Sequence, residues 1–339
     1  MKRRSRLDFR PSGDQLELQQ GIRLFCEEQV SLEFLRGVEE TAGFSSSLWR
    51  SLSDLGVFQV DLPEEQGGLG LGKADSLLVF EELGRALVPG PLVFTQLASG
   101  LVKGAESGES VVGGVDLRGS RGGPLLVSHW ESLDSLMVLR DDGVYVVEPE
   151  RVEVAAIQNP MDPLTPFHKI EVLPSGSALG GSSLGDALAL RGRALISALC
   201  LGISSATLDL AVAYAKEREQ FDRPIGAFQS IKHMLADMFA RLELARGAVY
   251  AAGASLDFPE DHDSERAVCA ASICSGESAM KNARACVQVH GGMGYTWEVP
   301  AHYFLKRCWV LESVFGTKEE WADRMAEKLD AAQPLAGGG

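Results

Sequence analysis

The chain has 339 residues, 45% of them hydrophobic and 23% charged, with a formal net charge of −15. That length supports two or three domains or subdomains around a sizeable buried core. The acidic balance excludes broad electrostatic attraction to nucleic acid or to an anionic membrane surface, so any phosphate site must be built from individual cations.

The basic start, Met1-Lys2-Arg3-Arg4-Ser5-Arg6, leads into no apolar signal core, and no run reads as long and apolar enough to cross a bilayer. Leu16, Leu18, Ile22, Leu24, Phe25 and Val30 recur at helical spacing and mark an amphipathic helix. Trp49, Leu52, Leu55 and Val57 indicate a second helix that stops near Gly56. Turn formers fill Leu62-Pro63-Glu64-Glu65-Gln66-Gly67-Gly68-Leu69-Gly70. A further helix reads from Ala74 to Ala86, and Pro89-Gly90-Pro91 ends it. Residues 1–103 are therefore expected to form an N-terminal helical domain.

The texture changes over residues 104–185, expected to form a small middle β domain, a sheet or a barrel. Leu125–Ser128, Ser135–Leu139 and Val144–Val147 are short β-type runs, with Asp141-Asp142-Gly143 as a hairpin signal. Arg151–Val154 and His168–Val172 alternate polar and apolar residues. Pro174–Gly185 is rich in Gly and Ser and reads as a connection. Residues 186–333 are helical again: Ala187–Glu217, Ile231–Leu256, Asp263–Val289 with Asp263 or Ser264 as cap, and Lys318–Ala332. The fold class expected is α+β, with a four-helix bundle packed on the sheet. Residues 334–339, ending Gly337-Gly338-Gly339, are expected to be a disordered tail. Six cysteines, none in Cys-x-x-Cys spacing, read as free thiols in a reducing cytoplasm and offer no metal site.

Two segments carry the functional signal. One is Arg218-Glu219-Gln220-Phe221-Asp222-Arg223-Pro224-Ile225-Gly226-Ala227-Phe228-Gln229; the other is Gln288-Val289-His290-Gly291-Gly292-Met293-Gly294-Tyr295. Read alone, Arg218 belongs to a charged run with Lys216, Glu217 and Glu219, and the glycine loop ends a helix. That loop is not a dinucleotide fingerprint of the strand-turn-helix kind, because it follows a helix. His290 and His302 read as packing or surface residues.

Together with Pro63-Glu64-Glu65-Gln66-Gly67-Gly68-Leu69-Gly70, and in the same order, these segments resemble the flavin-dependent acyl-CoA dehydrogenases. The resemblance implies the acyl-CoA dehydrogenase fold, with a shortened middle domain. It implies that Arg218 contacts the FAD pyrophosphate of a neighbouring subunit, where a guanidinium offers a planar fork of donors. It implies that Gln220, Phe221, Phe228 and Gln229 line the adenosine-diphosphate end. Gln288, Gly291 and Gly292 would bring backbone close to the cofactor, as residues without Cβ can.

The same resemblance exposes departures. The family's catalytic glutamate precedes a Gly-Thr pair; here the pair is Gly316-Thr317 and the residue before it is Phe315. An alternative position for the base, near the start of the first bundle helix, falls at Gly192 beside Arg193. Glu312, Glu319 and Glu320 are the nearest carboxylates, and Gly316-Thr317 holds the register against bringing Glu312 inward. The middle domain lacks the family's flavin-ring motifs; Ser128-His129-Trp130 and Glu148-Pro149-Glu150 are the nearest fragments.

No catalytic residue is therefore assigned to this chain. The expectation is a cytoplasmic α2β2 complex in which a homologous subunit carries the glutamate and the two chains share FAD. The substrate would be an acyl-CoA, with a bulky steroid side-chain thioester as first choice. Electron-transfer flavoprotein or a similar carrier would accept the electrons. A self-sufficient homotetramer with a relocated base and a non-enzymatic scaffold subunit remain open alternatives.

Overall fold

A computed structural model describes residues 9–119 and 122–332. The basic start and the expected tail at 334–339 lie outside these residues.

Five helices open the chain: α1 (Gly13–Gln29), α2 (Leu32–Glu40), α3 (Ser46–Asp54), α4 (Lys73–Arg85) and α5 (Leu92–Ala98). The start of α1 is fixed by a capping box. Ser12 Oγ accepts from the Gln15 amide, and the Gln15 side chain accepts from the Ser12 amide. Helices α2 and α5 are absent from the sequence reading. All seven residues of α5 are buried, so it has no polar face and no amphipathic period to betray it.

The middle region holds β1 (Val112–Asp116), β2 (Leu125–Ser128), β3 (Ser135–Arg140), β4 (Gly143–Val147), β5 (Val154–Ala156), β6 (Phe167–Ile170) and β7 (Ser177–Gly181). They form two small open sheets, ordered β1-β3-β4-β7 and β2-β6-β5, rather than a barrel. β1 runs parallel to β3, while β3 and β4 form the expected hairpin with Arg140 opposite Gly143. Two readings change here. Most of the expected Pro174–Gly185 connection is β7 followed directly by a helix; Gly180 packs closely there, since a Cβ on it would press on Leu184. Arg151 belongs to a turn over Pro149–Arg151, and the strand starts only at Val154.

The C-terminal region comprises α6 (Ser182–Glu217), the two-residue strands β8 (Glu219–Gln220) and β9 (Arg223–Pro224), α7 (Gln229–Asp257), α8 (Ser264–His290), α9 (Ala301–Leu311) and α10 (Lys318–Ala332). Asp263 caps α8, accepting from the Arg266 amide at 3.0 Å. α6 is the central helix. Contrary to the expectation from sequence, it qualifies by length and composition as a membrane span, with an 18-residue window of mean hydropathy 1.8; yet 78% of that window is buried inside the protein. A helix enclosed on all sides is apolar all round. α6 and α8 run parallel, since Arg193 meets Ser272, Ser204 meets Ser278 and Tyr214 meets His290. Their C-terminal ends therefore emerge together. α9, which the four-helix expectation omits, packs on α8 and α6.

Specific polar ties hold the regions together. The Asp257 carboxylate at the end of α7 accepts from the Lys73 and Ala74 amides at 2.6 and 3.2 Å, capping α4 from the bundle. Buried Glu81 accepts from Gln19, Arg246 and Tyr250, joining α1, α4 and α7. Asp162, from the loop before β6, is fully buried and accepts from Arg307 of α9 at 2.6 Å. All six cysteines are free thiols.

Candidate functional site

The two positions where the resemblance places a catalytic carboxylate are 123 residues apart in sequence, at 192 and 315, and they meet in space. A Cβ built on Gly192 would lie 2.5 Å from Cε2 and Cζ of Phe315. The Phe315 ring is buried, 4% exposed, and also packs on Phe94 with centroids 4.9 Å apart. The three residues come from α6, α5 and the loop after α9.

That loop is held rigidly. Phe315 has φ 59° and Gly316 φ 95°, both in the left-handed region. The Trp321 indole N–H donates to the Phe315 carbonyl at 2.8 Å. Arg193, 3% exposed, donates to the Val314 and Gly316 carbonyls at 3.0 and 3.2 Å and to Ser272 Oγ at 2.6 Å. Burial lowers the Arg193 pKa from its ordinary value. Thr317 and Glu320 cap each other's amides at the start of α10. Glu312 is exposed and lines a cavity of about 230 Å³ with Arg193, Cys200, Lys281 and Lys318. Nothing ionisable stands in the Phe94–Phe315–Gly192 contact itself.

The other end of α6 is arranged differently. Its C-cap is Arg218, whose amide donates to the Tyr214 carbonyl at 2.8 Å and whose carbonyl accepts from Ile225 at 2.8 Å. The Arg218 side chain is exposed and has no hydrogen-bond or ion-pair partner among the described residues. β8 and β9 then form a hairpin in which Gln220 faces Arg223, leaving Phe221-Asp222 as a two-residue turn. Both turn residues have positive φ, 54° and 60°, the geometry that Asn and Gly usually supply. Phe221 at the tip is 85% exposed. Phe228 lies under it edge-on at 6.1 Å and carries the Arg223 guanidinium at 4.2 Å from its ring centroid. Gln220 and Gln229 are exposed beside them.

The glycine loop after α8 faces a cavity of about 470 Å³ lined by Arg284, Val287, Gln288, Gly291, Gly292, Tyr295 and Leu305. Three of the sequence-assigned residues, Gln288, Gly291 and Gly292, thus share one surface. Arg218, Gln220, Phe221, Phe228 and Gln229 lie on the neighbouring hairpin arm and its junction with α7. The two groups are joined by Tyr214, one turn before Arg218, which stacks on His290 at 4.3 Å. His290 is buried, as a packing residue. His302 is also buried, against Trp297 and Tyr303, and burial pushes it down to about 4.

The glycines of the loop have distinct reasons. Gly291 has φ 59° and ψ −135°, a conformation open only to glycine. A Cβ on Gly294 would meet the Val287 carbonyl at 2.8 Å. Gly292 has ordinary φ, and a Cβ there would touch nothing within 4 Å. A dinucleotide fits this surface chemically, with the open backbone of Gly291 and Gly292, the Gln288 side-chain amide and the Arg284 guanidinium, which has no partner among the described residues. Arg284 and Tyr295 were not singled out from sequence, although Arg284 stands one helical turn before Gln288. Among the described residues no group of three or more His, Cys, Asp or Glu is placed to hold a metal ion.

Comparison with known proteins agrees with the motifs. Residues 12–105 match the acyl-CoA dehydrogenase N-terminal domain, and residues 186–329 match the acyl-CoA dehydrogenase C-terminal domain. Acyl-CoA dehydrogenase IpdE2 of Mycolicibacterium smegmatis is 31% identical over 92% of this chain and 97% of its own length. Acyl-CoA dehydrogenase FadE34 of Mycobacterium tuberculosis is 34% identical over 90% of this chain, which spans only 48% of that relative. Among solved structures, the fold matches a chain of the ChsE4-ChsE5 complex from Mycobacterium tuberculosis with a TM-score of 0.83, 22% identity, and coverage of 97% and 100% of the two chains. It matches a chain of the Tcur3481-Tcur3483 steroid ACAD G363A variant with a TM-score of 0.80, 22% identity, and coverage of 94% and 99%. With matched domains over more than half its length, this chain belongs to the acyl-CoA dehydrogenase family of flavoprotein oxidoreductases.

Proposed function

We propose that this chain is the complementary, non-catalytic subunit of an α2β2 acyl-CoA dehydrogenase, and that it completes the FAD site of a homologous partner. The observation that carries this reading is the Phe315–Gly192 contact: a phenyl ring fills the space on which both carboxylate positions converge. A phenyl ring cannot take the α-proton of an acyl-CoA thioester, and a carboxylate at 192 would collide with it. The partner then supplies the base and the flavin-ring pocket.

When bound, FAD would supply the acceptor for the hydride that leaves the substrate's β-carbon. This chain's contribution is to hold the adenosine-diphosphate end. Arg218 offers charge-assisted hydrogen bonds to the pyrophosphate, Gln288 a side-chain amide, and Gly291 and Gly292 close backbone approach, while Gln220, Phe221, Phe228 and Gln229 pack alongside. Each pair of unlike subunits would hold one FAD. The FadE34 relative supports a two-unit arrangement, because the half that this chain does not span is long enough for a second unit of this size.

A bulky acyl-CoA such as a steroid side-chain thioester is the substrate class we favour. The fold match to a chain of the steroid ACAD supports it. The likeness to caffeyl-CoA reductase-Etf complex subunit CarC of Acetobacterium woodii, 24% identical, supports an electron-transferring flavoprotein as acceptor. The test is Arg218→Ala in the co-purified complex. Loss of flavin with the chains still associated is expected; intact flavin loading would favour a scaffold without a cofactor role. Phe315→Glu in this chain is expected to restore no second active site.

A further inference from the structure

Four cations line the two cavities beside α8: Arg193, Lys281, Arg284 and Lys318. Three are engaged within the protein. Arg193 is held by Ser272 and two carbonyls. Lys281 lies 2.6 Å from Glu277, and Lys318 lies 4.0 Å from the same carboxylate. Arg284 differs: it is exposed and has no hydrogen-bond, ion-pair or ring partner among the described residues. It lines both cavities and, among the described residues, is the only charged one on the wall of the larger.

Its position on α8 is specific. Arg284 and Gln288 are four residues apart on one helix, so their side chains stand one above the other on the same face. Both are exposed, and both face the cavity that the open backbone of Gly291 and Gly292 also lines. In a chain with net charge −15, an unneutralised guanidinium beside exposed glycine backbone is a local reversal of sign. A guanidinium in such a place matches a phosphate oxygen pair.

We propose that Arg284 is a second phosphate-contacting residue for the shared dinucleotide, acting from α8 independently of Arg218 on the hairpin arm. This inference rests on the shared-flavin reading. It adds that the ADP portion is gripped from two separate elements, so that neither arginine alone accounts for retention of the cofactor.

The experiment uses the complex of this chain with its partner, stripped of flavin and titrated with FAD while flavin fluorescence is followed. Arg284→Gln is expected to weaken FAD binding roughly tenfold, as for one charge-assisted contact, while Arg284→Lys, which keeps the charge but loses the planar fork, is expected to fall between the parent and Arg284→Gln. ADP, added as a competitor, should lose affinity for the Arg284→Gln complex in the same proportion. Gel filtration and the urea midpoint of each variant chain should match the parent, because Arg284 packs against no charged partner. If Arg284→Gln binds FAD like the parent while Arg218→Ala does not, the role of Arg284 is overturned and the shared site stands. Unchanged affinity in both variants overturns the shared site itself. If Arg284→Gln impairs assembly while FAD affinity in the assembled fraction is unchanged, Arg284 is an interface residue and this inference fails.

Discussion

Gly192 and Gly292 stand in oppositely built parts of the molecule. At Gly192 a Cβ would strike the Phe315 ring at 2.5 Å, whereas at Gly292 it would meet nothing within 4 Å. The first glycine is consumed by packing inside this chain. The second has no internal reason to be glycine, and it shares an open cavity with Arg284, an exposed guanidinium without a partner among the described residues. The contrast separates a position closed by the chain's own packing from one left open at the surface. Under the proposed function, the closed region is where the base would stand and the open one is where a neighbour's cofactor would bind.

Substitutions can break this contrast from either side. The largest effect is expected from Gly192→Asp, which both overpacks the Phe315 contact and buries an unpaired carboxylate. It should lower stability by about 3–5 kcal/mol in urea unfolding and confer no dehydrogenation. A tolerated, active variant would mean that the cleft can reopen.

Acid should act on the packed interior next. His129 is 4% exposed, and burial together with Arg307 pushes its pKa down to about 3; burial holds His302 at about 4. Their unfolded values lie near 6.5, so below that pH the unfolded chain binds protons that the folded chain refuses. Stability is fully present above about pH 6.5 and falls as the pH drops toward 4. The loss should reach about 2 kcal/mol per histidine at pH 5. Urea midpoints between pH 7 and 5 measure it, and His302→Gln should reduce the slope.

At the open end, Arg218→Ala should cost about 1.5–3 kcal/mol in FAD affinity of the complex, without moving the urea midpoint of the lone chain. Phe221→Gly should not destabilise the lone chain, and should stabilise it by up to about 1 kcal/mol. A ring that is 85% exposed loses little packing, and glycine relieves the positive φ. The same change should weaken assembly with the partner, measured by gel filtration at falling concentration. Gly292→Ala is the mildest: stability should stay within about 0.5 kcal/mol, and only flavin retention should fall. A large stability loss there would show that the loop has an internal use for its glycine.

Much of this molecule was legible in its residues. The helix periods, the Asp263 cap and the order of the motifs lead to the fold, whereas Arg218, Gln288, Gly291 and Gly292 are named through the family resemblance of their motifs; read alone they are a charged run and a helix end. What remained hidden is non-local or lacks a period. The Phe315–Gly192 contact joins distant positions, and only the packing of α5, α6 and the loop after α9 reveals that they meet. α5 is buried on every side, and β1 contains Gly113 and Gly114, where a Cβ would press on Leu133 and Phe94. Both lack the alternation that a single-sequence reading relies on. Arg284 was readable from its spacing to Gln288, but that it has no partner among the described residues is disclosed only by the surrounding side chains.

The most direct test is the flavin content of the purified complex and of this chain expressed alone. One FAD per pair of unlike subunits, with no flavin and no acyl-CoA oxidation by the lone chain, is the result expected. Two FAD per pair, or stoichiometric FAD with turnover from this chain by itself, would contradict the account.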